Sequence, residues 1–273
     1  MKEFKNSNEN LINTTLPVGE EEISAPALIV KKETDNKEEY SVGYFQRPKV
    51  LFFDVNETLL DLNSMKNSIG AALGDRPELM SLWFTTLLQY SLVTTVSNHY
   101  KDFGEIGVAA LMMVAHKNGI AITDKQAKDA VATILSLPAH PEVKEALLFL
   151  KREGFKLVAF TNSFNKAVET QLKYAGIHDL FDDVLSIEDV GKFKPHADTY
   201  DWAAKKMALK SNECMLIAAH GWDVAGASWA GWQTAFVSRT GQQLFPLANL
   251  PEINEENILS VAQKLISIPF QRF

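Results

Sequence analysis

Apolar positions along the chain fall into short unbroken runs, set apart by longer stretches in which apolar and polar residues alternate with helical spacing. VLFFDV (50–55), KLVAFTN (156–162), DVLS (183–186), CMLIAAH (214–220) and TAFVSR (234–239) are the unbroken runs. Runs of this length predict strands covered on both faces. PEVKEALLFLKREG, FNKAVETQLKYAG, ADTYDWAAKKMAL and DVAGASWAG carry the helical spacing. Gly154 and Gly176 close two of them as stop signals. Strands alternating with helices predict an α/β fold, a Rossmann-like parallel sheet with helices on both faces.

The alternation breaks once, because residues 56–155 show no comparable strand run. PELMSLWFTTLLQYSLVTTV (77–96) predicts one long helix, and further helical patterns follow at 103–118 and 124–136. This predicts an inserted helical cap. The core domain is then 47–61 together with 139–273, and the cap is 62–138. The 77–96 helix is apolar on more than one face. That predicts burial against its own domain on one side and against a second subunit on the other, giving a homodimer through the cap helix.

Residues 1–46 differ from the rest, with nine acidic and five basic side chains and the polar cluster KKETDNKEEY. They predict a flexible or surface-lying extension. The apolar stretch Ala25 to Val30 is the one part of it that could add a strand. Deleting residues 1–40 is expected to leave kcat within about threefold, under about 1 kcal/mol of barrier. A steady-state loss of about a hundredfold or more would instead give the extension a part in the site or in the dimer.

Composition narrows the class. A chain of 273 residues with 46% hydrophobic and 22% charged residues is ordinary for a globular enzyme with a large core. A net charge of −7 argues against nucleic acid or an anionic membrane as the main partner. The opening residues lack the apolar segment of a signal peptide. No run is read as reaching the roughly 20 apolar residues of a membrane span. The single cysteine, Cys214, lies in an apolar run and reads as a small buried hydrophobe. A cytoplasmic setting is expected.

In an open parallel sheet, ligands bind beyond the carboxyl ends of the strands near the topological switch point. The polar residues at those ends are Asp54, then Thr161-Asn162-Ser163, then His220-Gly221-Trp222-Asp223, with Lys194 in GKFKPHADTY. These residues resemble the motifs of the haloacid dehalogenase superfamily. FFDVNETLLDL (52–62) is similar to its first motif, TNS (161–163) to its second, Lys194-Pro195 to its third and the Asp223 region to its fourth. The resemblance spans residues 48–268 and implies Asp54 as a covalent nucleophile.

Within that superfamily the phosphatase branch needs a second aspartate two residues after the nucleophile, and acidic Mg²⁺ ligands in the fourth motif. Here those positions hold Asn56 and Ala219. The chain is more similar to the type II L-2-haloacid dehalogenases, which lack both features and carry the Trp-Asp pair matched by Trp222-Asp223. That resemblance implies no metal and no cofactor. It implies displacement of halide from C2 of a 2-halocarboxylate by Asp54, then hydrolysis of the Asp54 ester to a 2-hydroxy acid. Lys194 would keep Asp54 ionised, and Asp223 would orient Lys194 or the water. Thr161 and the backbone amides of Val55 and Asn56 would hold the substrate carboxylate. Asn162 would lie near the halide, and Trp222, Phe84 and Phe103 would wall a dry pocket. The alternatives are another small-acid hydrolase, including a phosphatase, or a binding protein that retains the fold.

The chain departs from the type II pattern at three positions. Phe84 stands where a halide-binding arginine is usual, His220 where Asn or Ser is usual, and Glu57 where Gly is common. A base and a carboxylate brought to one crevice predict a Glu57–His220 dyad that activates the hydrolytic water. The bland alternative is a locally bonded histidine and a helix-capping glutamate. The other histidines show no metal-ligand spacing.

Overall fold

Each of the unbroken apolar runs becomes a strand of one parallel sheet in the computed structural model, which describes residues 28–34, 37–43 and 46–267. The strands are β3 (Val50–Phe53), β4 (Lys156–Thr161), β5 (Asp183–Ser186), β6 (Cys214–Ala218), β7 (Gln233–Val237) and β8 (Ile253–Glu255). Their order is β5-β4-β3-β6-β7-β8, and every pairing is parallel. All residues of β3 and β6 are buried, as unbroken apolar runs require when helices cover both faces. The chain steps outward from β3 to β5, then crosses to β6 on the other side of β3. That reversal puts the switch point at the carboxyl end of β3. The edge strand β8 and helix α9 (Ile258–Ser267) were not among the predicted elements. Three residues are too few to show a periodicity.

The intervening helices are α5 (Val143–Arg152), α6 (Asn165–Tyr174), α7 (Ala197–Lys206) and α8 (Gly221–Trp229). Gly154 and Gly176 follow α5 and α6 with φ of 79° and 66°, a conformation that glycine adopts without a Cβ clash.

The insertion leaves the core beyond Leu60 and returns at Ala139, and these two residues pair across the neck. Asp61 N–H donates to Pro138 O at 2.9 Å and His140 N–H to Leu59 O at 2.9 Å. Between them lie α1 (Lys66–Ala72), α2 (Met80–Val96), α3 (Phe103–Lys117) and α4 (Asp124–Ala132). Core and insertion form one unit, Phe45–Phe273.

Pro77–Val96 is 20 residues long and apolar enough to cross a membrane, which corrects the expectation that no run reaches that length. Its Trp83, Leu87, Ser91 and Thr95 are buried, so one face is a packing surface of the cap. Leu92, Val93 and Val96 lie exposed, so the predicted burial of a second face does not occur within the chain.

Residues 1–27 of the extension lie outside the described residues. Further along it, β1 (Leu28–Thr34) and β2 (Lys37–Gly43) pair antiparallel, with Leu28 opposite Gly43 and Thr34 opposite Lys37. They make a two-stranded sheet of their own in a separate unit, Met1–Tyr44. Strand β1 begins inside the apolar stretch Ala25 to Val30, the part of the extension read as able to form a strand, and pairs with β2 and not with the core sheet.

Candidate active site

Asp54 follows β3 directly, and its backbone N–H donates to Ile217 O at 3.1 Å, extending the pairing with β6 by one step. The residue is 4% exposed. Lys194 Nζ donates to Asp54 Oδ1 at 3.1 Å. Thr58 Oγ1 donates to Oδ2 at 2.7 Å, and His220 Nδ1 lies 3.2 Å from the same oxygen. Two of the donors are basic side chains. Burial alone would raise the carboxyl pKa. Lys194, His220 and the Thr58 hydrogen bond overcome that effect and hold Asp54 well below the usual carboxylate range. With two donors on Oδ2 and one on Oδ1, it is Oδ1 that keeps a lone pair uncommitted.

Lys194 is itself buried, 2% exposed, which is tolerable only with partners. It also donates to Asp223 Oδ2 at 2.6 Å and to Phe160 O at 3.0 Å. Burial lowers its pKa, but Asp223 and Asp54 outweigh that and raise it, so it stays an ammonium. Burial raises the pKa of Asp223 and the Asp54 charge adds to this, while Lys194 opposes both. Tyr200, on α7, donates to Asp223 Oδ1 at 2.6 Å and completes the row Tyr200–Asp223–Lys194–Asp54.

His220 lies on the other side of Asp54. Its Nε2 is 2.6 Å from Glu57 Oε2, so each ring nitrogen faces a carboxylate. Burial would lower its pKa, but the bonds to Asp54 and Glu57 raise it to about 10. Trp222 stacks on the ring at 5.0 Å between centroids, and Phe84 lies on it at 6.1 Å. An aromatic face next to the ring further favours a cation. At neutral pH His220 is therefore an imidazolium donating through both nitrogens. The predicted dyad is brought together, but in this state it holds no lone pair with which to take a proton from water.

Glu57 has φ of 63°, a left-handed conformation that favours glycine and costs a larger residue about 1–2 kcal/mol. The carboxylate is held there by His220 and by Gln242 Nε2, which donates to Oε1 at 3.2 Å. The capping alternative for Glu57 has no counterpart in these bonds.

Other predicted residues make bonds that tie the strand ends together. Asn56 Nδ2 donates to Ser163 Oγ at 3.1 Å and its Oδ1 accepts from Gln171 at 2.9 Å, so its side chain ties the first motif to the second. Asn162 Oδ1 accepts from the Lys194 backbone N–H at 3.0 Å, which holds the lysine segment. Thr161 Oγ1 accepts from Ser163 N–H at 3.1 Å and closes its own strand end. The Val55 carbonyl accepts from Leu59 and Leu60 N–H and shapes the turn after Asp54, and these bonds do not involve the Val55 N–H. Phe103 is buried 5.9 Å from Phe193 and lines a separate void of about 30 Å³ with Trp83 and Phe164. It joins cap to core and does not wall the crevice at His220. Phe84 and Trp222 do wall that crevice, a cavity of about 410 Å³ bordered also by Glu57, Met80, Leu88 and Gln242.

Thr58, Tyr200 and Gln242 join the site as well. Thr58 is the threonine of the first motif, and its hydroxyl also accepts from Ala219 N–H at 2.9 Å. That signal was available in the motif. Tyr200 and Gln242 carry none, because only the fold brings them to Asp223 and Glu57.

A divalent metal does not fit this donor set. Mg²⁺ requires hard oxygen ligands. Asp54 has one free lone pair to offer and two basic side chains beside it, both ends of the Asn56 amide are committed, and Ala219 offers no donor side chain. Among the described residues, no group of three His, Cys, Asp or Glu side chains is placed to hold an ion.

Known proteins resemble the chain in sequence and fold. The chain is 26% identical over 216 residues to an (S)-2-haloacid dehalogenase of Pseudomonas sp. (strain YL), covering 79% of this chain and 93% of that protein. It is 22% identical over 205 residues to haloacetate dehalogenase H-2 of Moraxella sp. (strain B), covering 75% and 92%. The fold matches, with a TM-score of 0.76 and 21% identity, an L-2-haloacid dehalogenase from Xanthobacter autotrophicus with chloropropionic acid covalently bound, over 81% of this chain and 100% of that one. A family profile described as haloacid dehalogenase-like hydrolase matches residues 48–231. That span contains Asp54, Lys194, His220 and Asp223, and the chain belongs to the haloacid dehalogenase-like hydrolases.

Proposed function

We propose that this protein hydrolyses the carbon–halogen bond of short-chain L-2-haloacids through a covalent ester on Asp54. The observation that carries it is a buried carboxylate, kept ionised by an ammonium on one oxygen and an imidazolium on the other, with one lone pair free. Carboxylate nucleophilicity depends on ionisation, and poor solvation by water leaves that lone pair available. The names of the relatives support a halogenated acid as substrate.

Asp54 Oδ1 attacks C2, the C2–halogen bond breaks and halide leaves with the electron pair. Oδ2 becomes the ester carbonyl oxygen. The Thr58 hydroxyl, fixed by Ala219 N–H, is placed to stabilise the oxyanion that forms there when water attacks Cγ. Lys194 is the counter-ion of the nucleophile, and Tyr200 and Asp223 are positioning residues that act through it. Phe84 and Trp222 supply apolar walls. The exposed apolar face of α2 suits the homodimer expected from its composition.

Halide and phosphate release should be measured on matched panels of 2-halocarboxylates and phosphate monoesters after exhaustive chelation. Halide release should persist at an unchanged rate, with phosphate release at background. Loss of all activity on chelation with recovery in Mg²⁺, or phosphate as the faster product, would overturn the proposal.

A further inference from the structure

The resting state poses a problem for the second half of that reaction. Ester hydrolysis needs a proton acceptor near Asp54 Cγ, and Lys194 and His220 both stand there as cations. His220 differs from Lys194 in what keeps it charged. Lys194 has Asp223 behind it at 2.6 Å, whatever happens to Asp54. His220 has Asp54 on Nδ1 and Glu57 on Nε2. Around the cavity it borders, α2 contributes Met80, Ser81, Phe84, Thr85 and Leu88 and the 241–242 segment contributes Gly241 and Gln242, none of which titrates.

We propose that His220 is the base of ester hydrolysis and that esterification of Asp54 switches it on, so the one net proton of the reaction leaves with the halide and not with the product. The proposal rests on the covalent Asp54 mechanism. When Oδ1 bonds to C2 and halide departs, Asp54 becomes neutral. His220 then loses one of its two anions, and its pKa falls from the resting value of about 10. The Nδ1 proton, whose acceptor has lost its charge, passes to water. Nδ1 is left with a lone pair beside the ester, while Glu57 keeps Nε2–H in place as a positioning residue.

In the second half, Nδ1 takes a proton from water as its oxygen attacks Cγ. The tetrahedral intermediate collapses with cleavage of the Cγ–O bond to the substrate oxygen. That oxygen takes the remaining hydroxyl proton, giving the 2-hydroxy acid. Asp54 is a carboxylate again and His220 an imidazolium, so the cycle closes. The sum is haloacid plus water to hydroxy acid, halide and one proton. The same charge pairing that disarms His220 at rest stops it from competing with Asp54 for substrate. The left-handed backbone at Glu57 fits this account, since the chain tolerates an unfavourable conformation to place a carboxylate on Nε2.

The test uses the full chain, 2-bromopropionate, a pH indicator in weak buffer and rapid quench for halide, ester and product. At the acidic end of the activity range the neutral imidazole is scarce, so hydrolysis should slow and the phases separate. In a single turnover, proton release should track halide release, one for one, ahead of product. His220→Asn should release one halide per site without a proton, accumulate the Asp54 ester by intact mass, and lose about 10²–10⁴-fold in steady-state turnover. Glu57→Gln should show a milder version of the same defect. The proposal is overturned if the proton appears with product, if hydrolysis shows no acidic limb, or if His220→Asn turns over normally. It is also overturned if that variant gives neither burst nor ester. Failure of the covalent mechanism itself is distinguishable, because ¹⁸O from water would then enter product directly in the first turnover of the wild type.

Discussion

Replacing Asp54 with Asn is expected to abolish turnover, by about 10⁴-fold or more, while leaving the fold intact. Loss of a nucleophile removes the whole covalent route, and effects of that size are typical when such a residue is removed. The fold should survive because neither cation is stranded. Lys194 retains Asp223 at 2.6 Å and His220 retains Glu57 at 2.6 Å. The amide oxygen of the substituted side chain can still accept from one of the former donors. Circular dichroism and urea unfolding should therefore match wild type within about 1 kcal/mol. In the wild type, a single turnover in ¹⁸O water should place label in the Asp54 carboxylate. Residual turnover of a tenth or more in Asp54→Asn, on protein free of deamidation, would end the assignment of the nucleophile.

Lys194→Met is expected to fail in the opposite way, by destabilising the protein as well as inactivating it. The substitution keeps a long unbranched stem but leaves buried Asp223 without its cation, with Tyr200 as its remaining side-chain donor, while Asp54 keeps His220 and Thr58. Removing one partner of a buried ion pair costs about 3–5 kcal/mol, since the remaining charge keeps its desolvation penalty. Asp54 would also take up a proton more readily, with turnover falling by at least about 10²-fold. Adding Asp223→Asn should recover part of the stability without recovering turnover.

The urea series belongs between about pH 4 and pH 6.5. Asp54 titrates below its unfolded value of 3.8, so its contribution is whole above that pH and is lost as pH falls. His220 titrates at about 10, above its unfolded 6.5, so its contribution is whole below 6.5 and is lost as pH rises through 10. Within the window both are constant. A Lys194→Met variant within about 1 kcal/mol of wild type would show that Asp223 does not depend on Lys194 for neutralisation.

The two variants separate chemistry from structure at one cluster, and the same separation explains what could be foreseen. Asn56 and Asn162 sit in the first two motifs, and motif position suggests contact with substrate. Their amides also join Asn56 to Ser163 and Gln171, and Asn162 to the Lys194 backbone, because a buried amide must find partners. Phe103 is an aromatic residue at the start of a cap helix, as compatible with a pocket wall as with a packing contact. Its burial against Phe193 chose the second.

Legible in the sequence were the alternation of the first five core strands with helices, the cap insertion at 62–138, and the convergence of Asp54, Lys194 and Asp223. These follow from local rules: unbroken apolar runs must be covered on both faces, and polar residues at successive strand ends must meet at the switch point. The tertiary structure alone decided the protonation state of His220. Charge depends on distances between side chains far apart in the chain, here Glu57 and Asp54 on either side of a histidine more than 160 positions away. It decided the partners Tyr200 and Gln242 for the same reason. Electrostatic interaction in a buried site changes steeply over a few ångströms, and no periodicity along a chain records that spacing.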